Sequence, residues 1–352
     1  MRKIAYIITL ALALMAAAAC HRRPLHDMEG KVLFKVTIDV DTVCNIGRYI
    51  YNDKLAKPNT NTDMLRMFFY DTKNHAYSGE ALLSHKSYDD AGHQVFSEYM
   101  DIASGQFDFV VYNFDTPNTI IKDVNNENTI EACTEELPQS VRSTIIGKAG
   151  ESNEQMLSYQ PDHLMVAREQ NCYVPYHTEL QIIETTAHTC LNTYYIQIHV
   201  EGLRFVQTAT AVVTGLYSAN HFGRDAVSPY TLGERVGNPA TAVYFNMEKS
   251  TDDNIAGDNK DVLCALFNTF GKIEDVSSDL YVTFNVVDIA GNKLQKTVNL
   301  DVVFRTEDAL ERHWLLIDDV WVIDDPVPHE VGGGGFQPLV DDWDEEHGEI
   351  AL

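Results

Sequence analysis

A two-residue hydrophobic rhythm limits what this chain can become, and it is clearest at residues 31–41. Val32, Phe34, Val36, Ile38 and Val40 alternate there with Leu33, Lys35, Thr37, Asp39 and Asp41. A helix would scatter the first five side chains around its axis, whereas a strand places them all on one face, so the segment reads as a half-buried strand. The polar loop Asn52 to Asp63, which contains Pro58, leads into Met64 to Tyr70, a buried strand. A weaker strand near Ala81 to Ser84 precedes the loop at Asp89-Asp90-Ala91-Gly92, and Gly105 to Asp115 is a strand opened by a glycine turn. Short apolar runs between turn residues predict an antiparallel β domain.

Leu137 to Tyr159 carries Pro138, Gly147 and Gly150 and reads as an insertion holding a short helix or surface loops. From about Tyr173 the strand rhythm resumes, with strands at Leu180 to Ile183, Tyr194 to Glu201, Phe205 to Leu216, Thr241 to Glu248 and Val262 to Phe270. Leu280 to Asp288 and Val298 to Phe304 flank Ala290-Gly291-Asn292, a hairpin turn signal. A short helix at Glu307 to Arg312 and a last strand at Val320 to Ile323 complete a second β-sandwich. A chain of 352 residues exceeds what one hydrophobic core normally serves, which also favours two domains. The expected division is a leader at 1–19, a tether at 20–30, β-sandwiches at 31–170 and 171–325, and a Pro/Gly linker with an acidic tail at 326–352. Pro326 and Pro328 cannot feed a central ladder, and Gly332 to Gly335 form a flexible spacer.

The N-terminus carries a second kind of information. Met1-Arg2-Lys3 is followed by an apolar run from Ile4 to Met15 and then by Ala16 to Ala19 and Cys20. The run is too short to cross a bilayer, and a basic start with small residues before the cut is how a secretory signal reads. A cysteine directly after small residues is what lipoprotein processing needs, because its thiol takes the diacylglycerol. The expectation is cleavage before Cys20, acylation of that residue, and attachment to the outer membrane. His21-Arg22-Arg23 then lies beside the lipid headgroups.

Removing residues 1–19 takes away Arg2 and Lys3 and no acidic group, so the formal net charge moves from -26 to -28. Phosphate binding needs clustered Lys and Arg, so this acidic balance argues against nucleic acid as a partner. With Cys20 acylated, the remaining cysteines are Cys44, Cys133, Cys172, Cys190 and Cys264, an odd number. Cys172 and Cys190 would permit a bridge in an oxidising compartment, and buried thiols are the equal alternative, so no disulfide is assigned.

A search for chemistry finds no Gly-x-Ser-x-Gly elbow, no nucleotide loop and no His-Glu-x-x-His, so neither a catalytic residue nor a cofactor is expected. His85 and His93 bracket an acidic loop and Asp162-His163 stands as an isolated pair, all read as solvated positions. Thr251 to Asp261 comes nearest to a metal loop. Aligned from Asp252 it has Asn254 and Gly257 in place, but Ala256 and Leu263 fail the calcium pattern, so a solvated turn is expected and no metal is assigned. Seventeen tyrosines admit a glycan-binding surface as the alternative function, although Tyr at alternating strand positions serves packing first, and Trp314 and Trp321 fall in the expected core.

Taken in order, these segments resemble the FimB-like fimbrial anchor and accessory lipoproteins of Bacteroidales-type bacteria. The resemblance rests on the lipoprotein start with KVLFKVTIDVD, then SGQFDFVVYNFDT, VEGLRFVQTATAVVTGL, LFNTFGKI with its downstream hairpin, and the ending GGGGFQPLVDDWDEE. It implies an all-β fold of two tandem transthyretin-like antiparallel β-sandwich domains with a flexible acidic C-terminal tail. It also implies lipid attachment through Cys20, exposure at the cell surface, and a non-enzymatic role in anchoring or completing a pilus-like polymer of fimbrial subunits. One departure is His21-Arg22-Arg23 where such lipoproteins often carry an acidic run. In the tail, Phe336, Leu339, Val340 and Trp343 are candidates for a strand offered to a neighbour's open sheet edge. They could equally fold back on their own domain, and Asp341-Asp342 with Asp344-Glu345-Glu346 favours a plain acidic tail.

Overall fold

The computed structural model describes residues 29–39, 62–114, 116–142, 156–176, 179–223, 241–251, 260–273 and 280–326. The strands of the first half are β1 (Glu29–Ile38), β2 (Leu65–Asp71), β3 (Tyr77–Leu83), β4 (His85–Tyr88), β5 (Gln94–Ala103), β6 (Gly105–Asn113), β7 (Thr119–Lys122) and β8 (Glu131–Thr134). A single helical turn, α1 (Gln139–Arg142), precedes β9 (Met156–Tyr159), β10 (Met165–Val174) and β11 (Gln181–Thr189). The second half holds β12 (Asn192–Glu201), β13 (Val206–Leu216), β14 (Ala219–Asn220), β15 (Thr241–Asn246), β16 (Glu248–Ser250), β17 (Val262–Thr269), β18 (Tyr281–Asp288), β19 (Lys293–Asn299), helix α2 (Glu307–Arg312) and β20 (Trp314–Val322).

The first sheet runs β3-β2-β6-β10-β11-β1-β5-β4 and turns back on itself at β10 and β11, where Met165–Thr189 and Val166–His188 are the register pairs. Val32, Phe34, Val36 and Ile38 of β1 meet Leu65 and Met67 of β2 and Phe109 and Val111 of β6 inside this fold. The alternation read at residues 31–38 is therefore the core face of β1. In the second half the sheet β16-β17-β12-β20 packs on the sheet β19-β18-β13-β15-β9. Ile196, Ile198, Val213, Phe284 and Leu315 lie between them, and Phe245 stacks flat on Phe267 with ring centroids 4.6 Å apart. Trp314 and Trp321 are buried, as the sequence suggests.

Three pairings are parallel: β1 with β11, β12 with β20, and β15 with β9. The division expected at residue 170 falls inside β10, and β11, expected in the second sandwich, instead lies beside β1. Leu137 to Tyr159, expected to be an insertion, supplies β9 to the second-half sheet. Leu137 and Leu157 are buried there with Val212 and Ala242. A small sheet, β14-β8-β7, completes the set.

Strand β2, most of β6 and the first residues of β10 are buried on both faces. Their outward side chains Phe68, Tyr70, Val110, Tyr112 and Val166 join Phe222, Phe270 and Ile273 in a third apolar cluster that links the two halves. The turn between β18 and β19 is closed by Gly291 at φ 85°, with the Asp288 carboxylate accepting from the Ala290 and Asn292 amides. Helix α2 starts on Thr306, whose hydroxyl accepts from the Ala309 amide, an N-cap of the usual kind.

Candidate functional site

Cys20 and the partner-strand candidates Phe336, Leu339, Val340 and Trp343 lie outside the described residues, as does most of the Thr251 to Asp261 loop. Among the described residues three places bear on function, two of them polar and one an apolar surface.

The first is built where the β2–β3 turn, β6 and the loop 123–130 converge. Asp71 Oδ1 accepts from the Lys73 and Asn74 amides and shapes a tight turn, which carries His75 in the left-handed region at φ 56°. The loop 123–130 is stitched to that turn: the Tyr77 amide donates to the Asn125 carbonyl and the Glu127 amide to the His75 carbonyl. From β6, opposite Tyr70, Asp108 enters the same space, and a bulge in β10 aims the Asn171 amide at Asp108 Oδ1 at 2.7 Å. His75 Nδ1 then lies 2.9 Å from Glu127 Oε2 and 3.6 Å from Asp108 Oδ2. The carboxylate side chains of Asp108 and Glu127 are 3% and 1% exposed. Burial pushes the Glu127 carboxyl above its ordinary range; the His75 hydrogen bond opposes that shift, and the nearby Asp108 adds to it. The three ligand atoms lie within 4.8 Å of one another.

The second is a cleft of about 570 Å³ lined among others by Met64, Phe114, Asn118, Asp162, His163 and Asn268. It opens where Gln160 to Leu164 passes from β9 to β10. Two asparagines hold that segment from either side. Asn113 of β6 donates to the His163 carbonyl at 2.8 Å and accepts from the Met165 amide at 2.6 Å. Asn268 of β17 donates to the Pro161 carbonyl, while its amide donates to Gln160 Oε1. Asp162, read from sequence as a solvated loop residue, instead accepts from the Asn118 and Thr119 amides and closes the loop before β7. His163 is likewise not solvated: burial lowers its pKa to about 4, and its Nδ1 is sealed without a hydrogen-bond partner. The correction has a plain cause. Both residues lie in the short crossing from β9 to β10, and the sheets that meet there half-bury them, a relation no local pattern reports. His85 and His93 do lie on the surface, each beside one carboxylate, Glu98 and Asp89.

The third is a surface. On the solvent face of the first sheet, Leu33 of β1 pairs with Tyr99 of β5 on one side and Ile182 of β11 on the other. Tyr99 and Ile182 are 67% and 51% exposed and stand on either side of Leu33, which is itself covered at 8% exposure. Elsewhere Cys133, Cys190 and Cys264 are buried thiols and Cys172 is half-buried, with the Cys190 thiol pushed up strongly by burial. Sequence reasoning missed the His75, Asp108 and Glu127 group because its members come from three separate segments with no motif spacing. The Asp71 to Ala76 turn chemistry was the one local signal available.

The class of protein follows from these features: an all-β chain of two stacked sheet systems joined by a common apolar cluster, with its polar chemistry in turns and crossings. Residues 53–230, just over half of the chain, match the family described as Domain of unknown function (DUF5119), and the chain belongs to that family. It is also 24% identical over 179 residues to the "Putative fimbrium anchoring subunit Fim4B" of Bacteroides ovatus. That alignment covers 51% of this chain and 45% of the relative, so the chain matches about half the relative's length. A crystal structure described as a "putative adhesin" from Bacteroides ovatus superposes with a TM-score of 0.54 at 17% identity, covering 88% of this chain and 98% of that one. At that identity the likeness concerns the fold. The resemblance to fimbrial anchor proteins drawn from the strand motifs agrees with these likenesses.

Proposed function

We propose that this chain is a lipid-anchored outer-membrane protein that serves as an anchor or accessory subunit of a fimbria-like surface structure, with no enzymatic activity. The observation that carries the reading is the likeness, over half of the chain, to a protein named as a fimbrium anchoring subunit. The fold supports it, since a TM-score of 0.54 over 88% of the chain relates it to an adhesin-class structure. The leader and Cys20 supply the membrane end. Fimbrial or pilin-like subunits are the partners, and sheet edges are where such subunits join, because an edge strand leaves N–H and C=O groups open to a neighbour's strand. Among the described residues β3, β4, β16, β20 and β19 end their sheets, whereas the outer side of β9 is bonded by residues 135–137. Phe336, Leu339, Val340 and Trp343 are the tail residues that would supply a strand of its own.

Fractionation of cells expressing the wild type and Cys20→Ala tests the anchor. Retention of both proteins in the membrane would refute it. Cross-linking in intact cells tests the partner, with a ladder of pilin-like subunits as the expected result.

A second reading, a surface glycan binder, is favoured by the exposed Tyr99 on the outer face of β5, since a flat tyrosine face can stack on a sugar. Retention of the protein on an immobilised polysaccharide, lost in Tyr99→Ala and accompanied by no cross-linked subunit, would select this reading over the fimbrial one.

A further inference from the structure

The His75, Asp108 and Glu127 group plays no part in the fimbrial reading. Two carboxylates, almost wholly withdrawn from water, converge on one imidazole nitrogen at 3.6 and 2.9 Å. Buried charges persist when they are paired or when they coordinate a metal. Pairing alone leaves this group incomplete, because one Nδ1–H serves one acceptor. Asp108 Oδ1 is satisfied by the Asn171 amide and Glu127 Oε2 by His75. Glu127 Oε1 is sealed from solvent without a hydrogen bond of good geometry, and the Gln170 amide is its polar neighbour. The two acids thus carry up to two negative charges against at most one imidazolium, a balance that a cation would complete.

The spacing suits an ion. Metal–ligand bonds of about 2.0–2.1 Å at tetrahedral angles put neighbouring ligand atoms roughly 3.3 Å apart. The observed 2.9 and 3.6 Å fall on either side of that spacing. We propose that His75 Nδ1, Asp108 and Glu127 bind one divalent transition-metal ion, Zn2+ by preference, with a fourth position left to water. One imidazole nitrogen and two carboxylates suit a borderline cation whose double charge balances both acids. Calcium is disfavoured, since it takes about six to eight oxygen ligands and this group offers an imidazole and two acids. The bound ion ties the β2–β3 turn, β6 and the loop 123–130 into one unit.

The test uses the full-length chain, extracted in detergent, stripped with a chelator and titrated with Zn2+ in a calorimeter and with Co2+ by visible absorption. The expected result is one ion per chain, tetrahedral-type Co2+ bands, and a rise in Tm on the order of 5 °C at roughly 100-fold excess over Kd. His75 is on a turn and one-third exposed, so His75→Ala is expected to retain the fold by circular dichroism while its affinity falls at least about 100-fold. Glu127→Gln keeps the shape and removes a charge. It is expected to abolish binding while leaving the metal-free Tm unchanged or higher, whereas a purely structural His75–Glu127 ion pair would make the same change destabilising. Absence of a bound ion in the wild type, undiminished binding in His75→Ala, or a fall in the metal-free Tm of Glu127→Gln with no Zn2+ effect overturns the site. Preference for Ca2+ over Zn2+ overturns the choice of ion.

Discussion

Phe222 is fully buried in the cluster that joins the two halves, and its ring meets Tyr112 of β6 edge-on with centroids 5.4 Å apart. Truncation to alanine removes a ring that hides on the order of 150–200 Å² from water, worth about 4–5 kcal/mol at roughly 25 cal/mol per Å². Phe→Ala changes in other cores cost about 3–5 kcal/mol, so Phe222→Ala is expected to cost about 4 kcal/mol. The loss falls on the contact between halves rather than on either sheet core, and that gives it a second signature. Trp314 and Trp321 lie in the second half, so their fluorescence reports that half, while far-ultraviolet circular dichroism reports both. In urea the wild type should unfold with both probes coincident, and Phe222→Ala should separate them, the first half melting earlier. A cost below about 1 kcal/mol with coincident curves would show that the third cluster does not couple the halves.

His163 supplies a pH prediction. Its pKa is held near 4 in the folded chain against about 6.5 when unfolded, so between those values the unfolded state binds the proton and stability falls as pH is lowered. The contribution of about 3 kcal/mol is complete above pH 6.5, and His163→Gln should lose stability less steeply over the same window; equal slopes would refute it. Asn113→Ala strands the Met165 amide and the His163 carbonyl and should cost about 2–4 kcal/mol in chemical denaturation. No measurable loss would mean the crossing segment is held by other contacts. Gly223→Ala places a Cβ into the Glu127 carbonyl and the Ile130 side chain, and since backbone yields little, a cost of about 2–3 kcal/mol in Tm-derived stability is expected.

The sequence displayed those elements whose pattern is local. Strands β1 and β15 were legible from their alternation, and α2 falls where a short helix was expected; the turn at Ala290-Gly291-Asn292 was legible too, but its second strand is Lys293–Asn299, not Val298 to Phe304, whose end is a 3-10 turn. Strand β5 was hidden because Glu98 interrupts its inward series of Phe96, Met100 and Ile102, answering His85 instead of the core. Strand β10 was hidden by the bulge at Glu169 to Cys172, where Asn171 takes a positive φ and breaks the period of two. For β9, four residues gain their place by pairing with β15, some 85 residues later in the chain, a relation no local pattern reports. The same holds for the polar group at His75, whose acids come from β6 and from a loop that docks by backbone bonds, by Tyr70 and Asn126 side-chain bonds and by Ile130 in the third cluster.

The parallel pairing of β1 with β11 has a mechanical meaning. Seven register pairs run from Val32–Gln181 to Ile38–Ala187, with Lys35 and Glu184 bridged across them at 3.0 Å. After Thr189 only Cys190 and Leu191 precede β12, the first strand of the second half. Tension drawn from the N-terminal side of β1 and from the second half therefore pulls these neighbours in opposite directions along their length. Such a load shears all seven pairs together instead of opening them one after another like a zip. A chain held at its beginning and tugged from beyond its middle thus meets the load across its most resistant geometry.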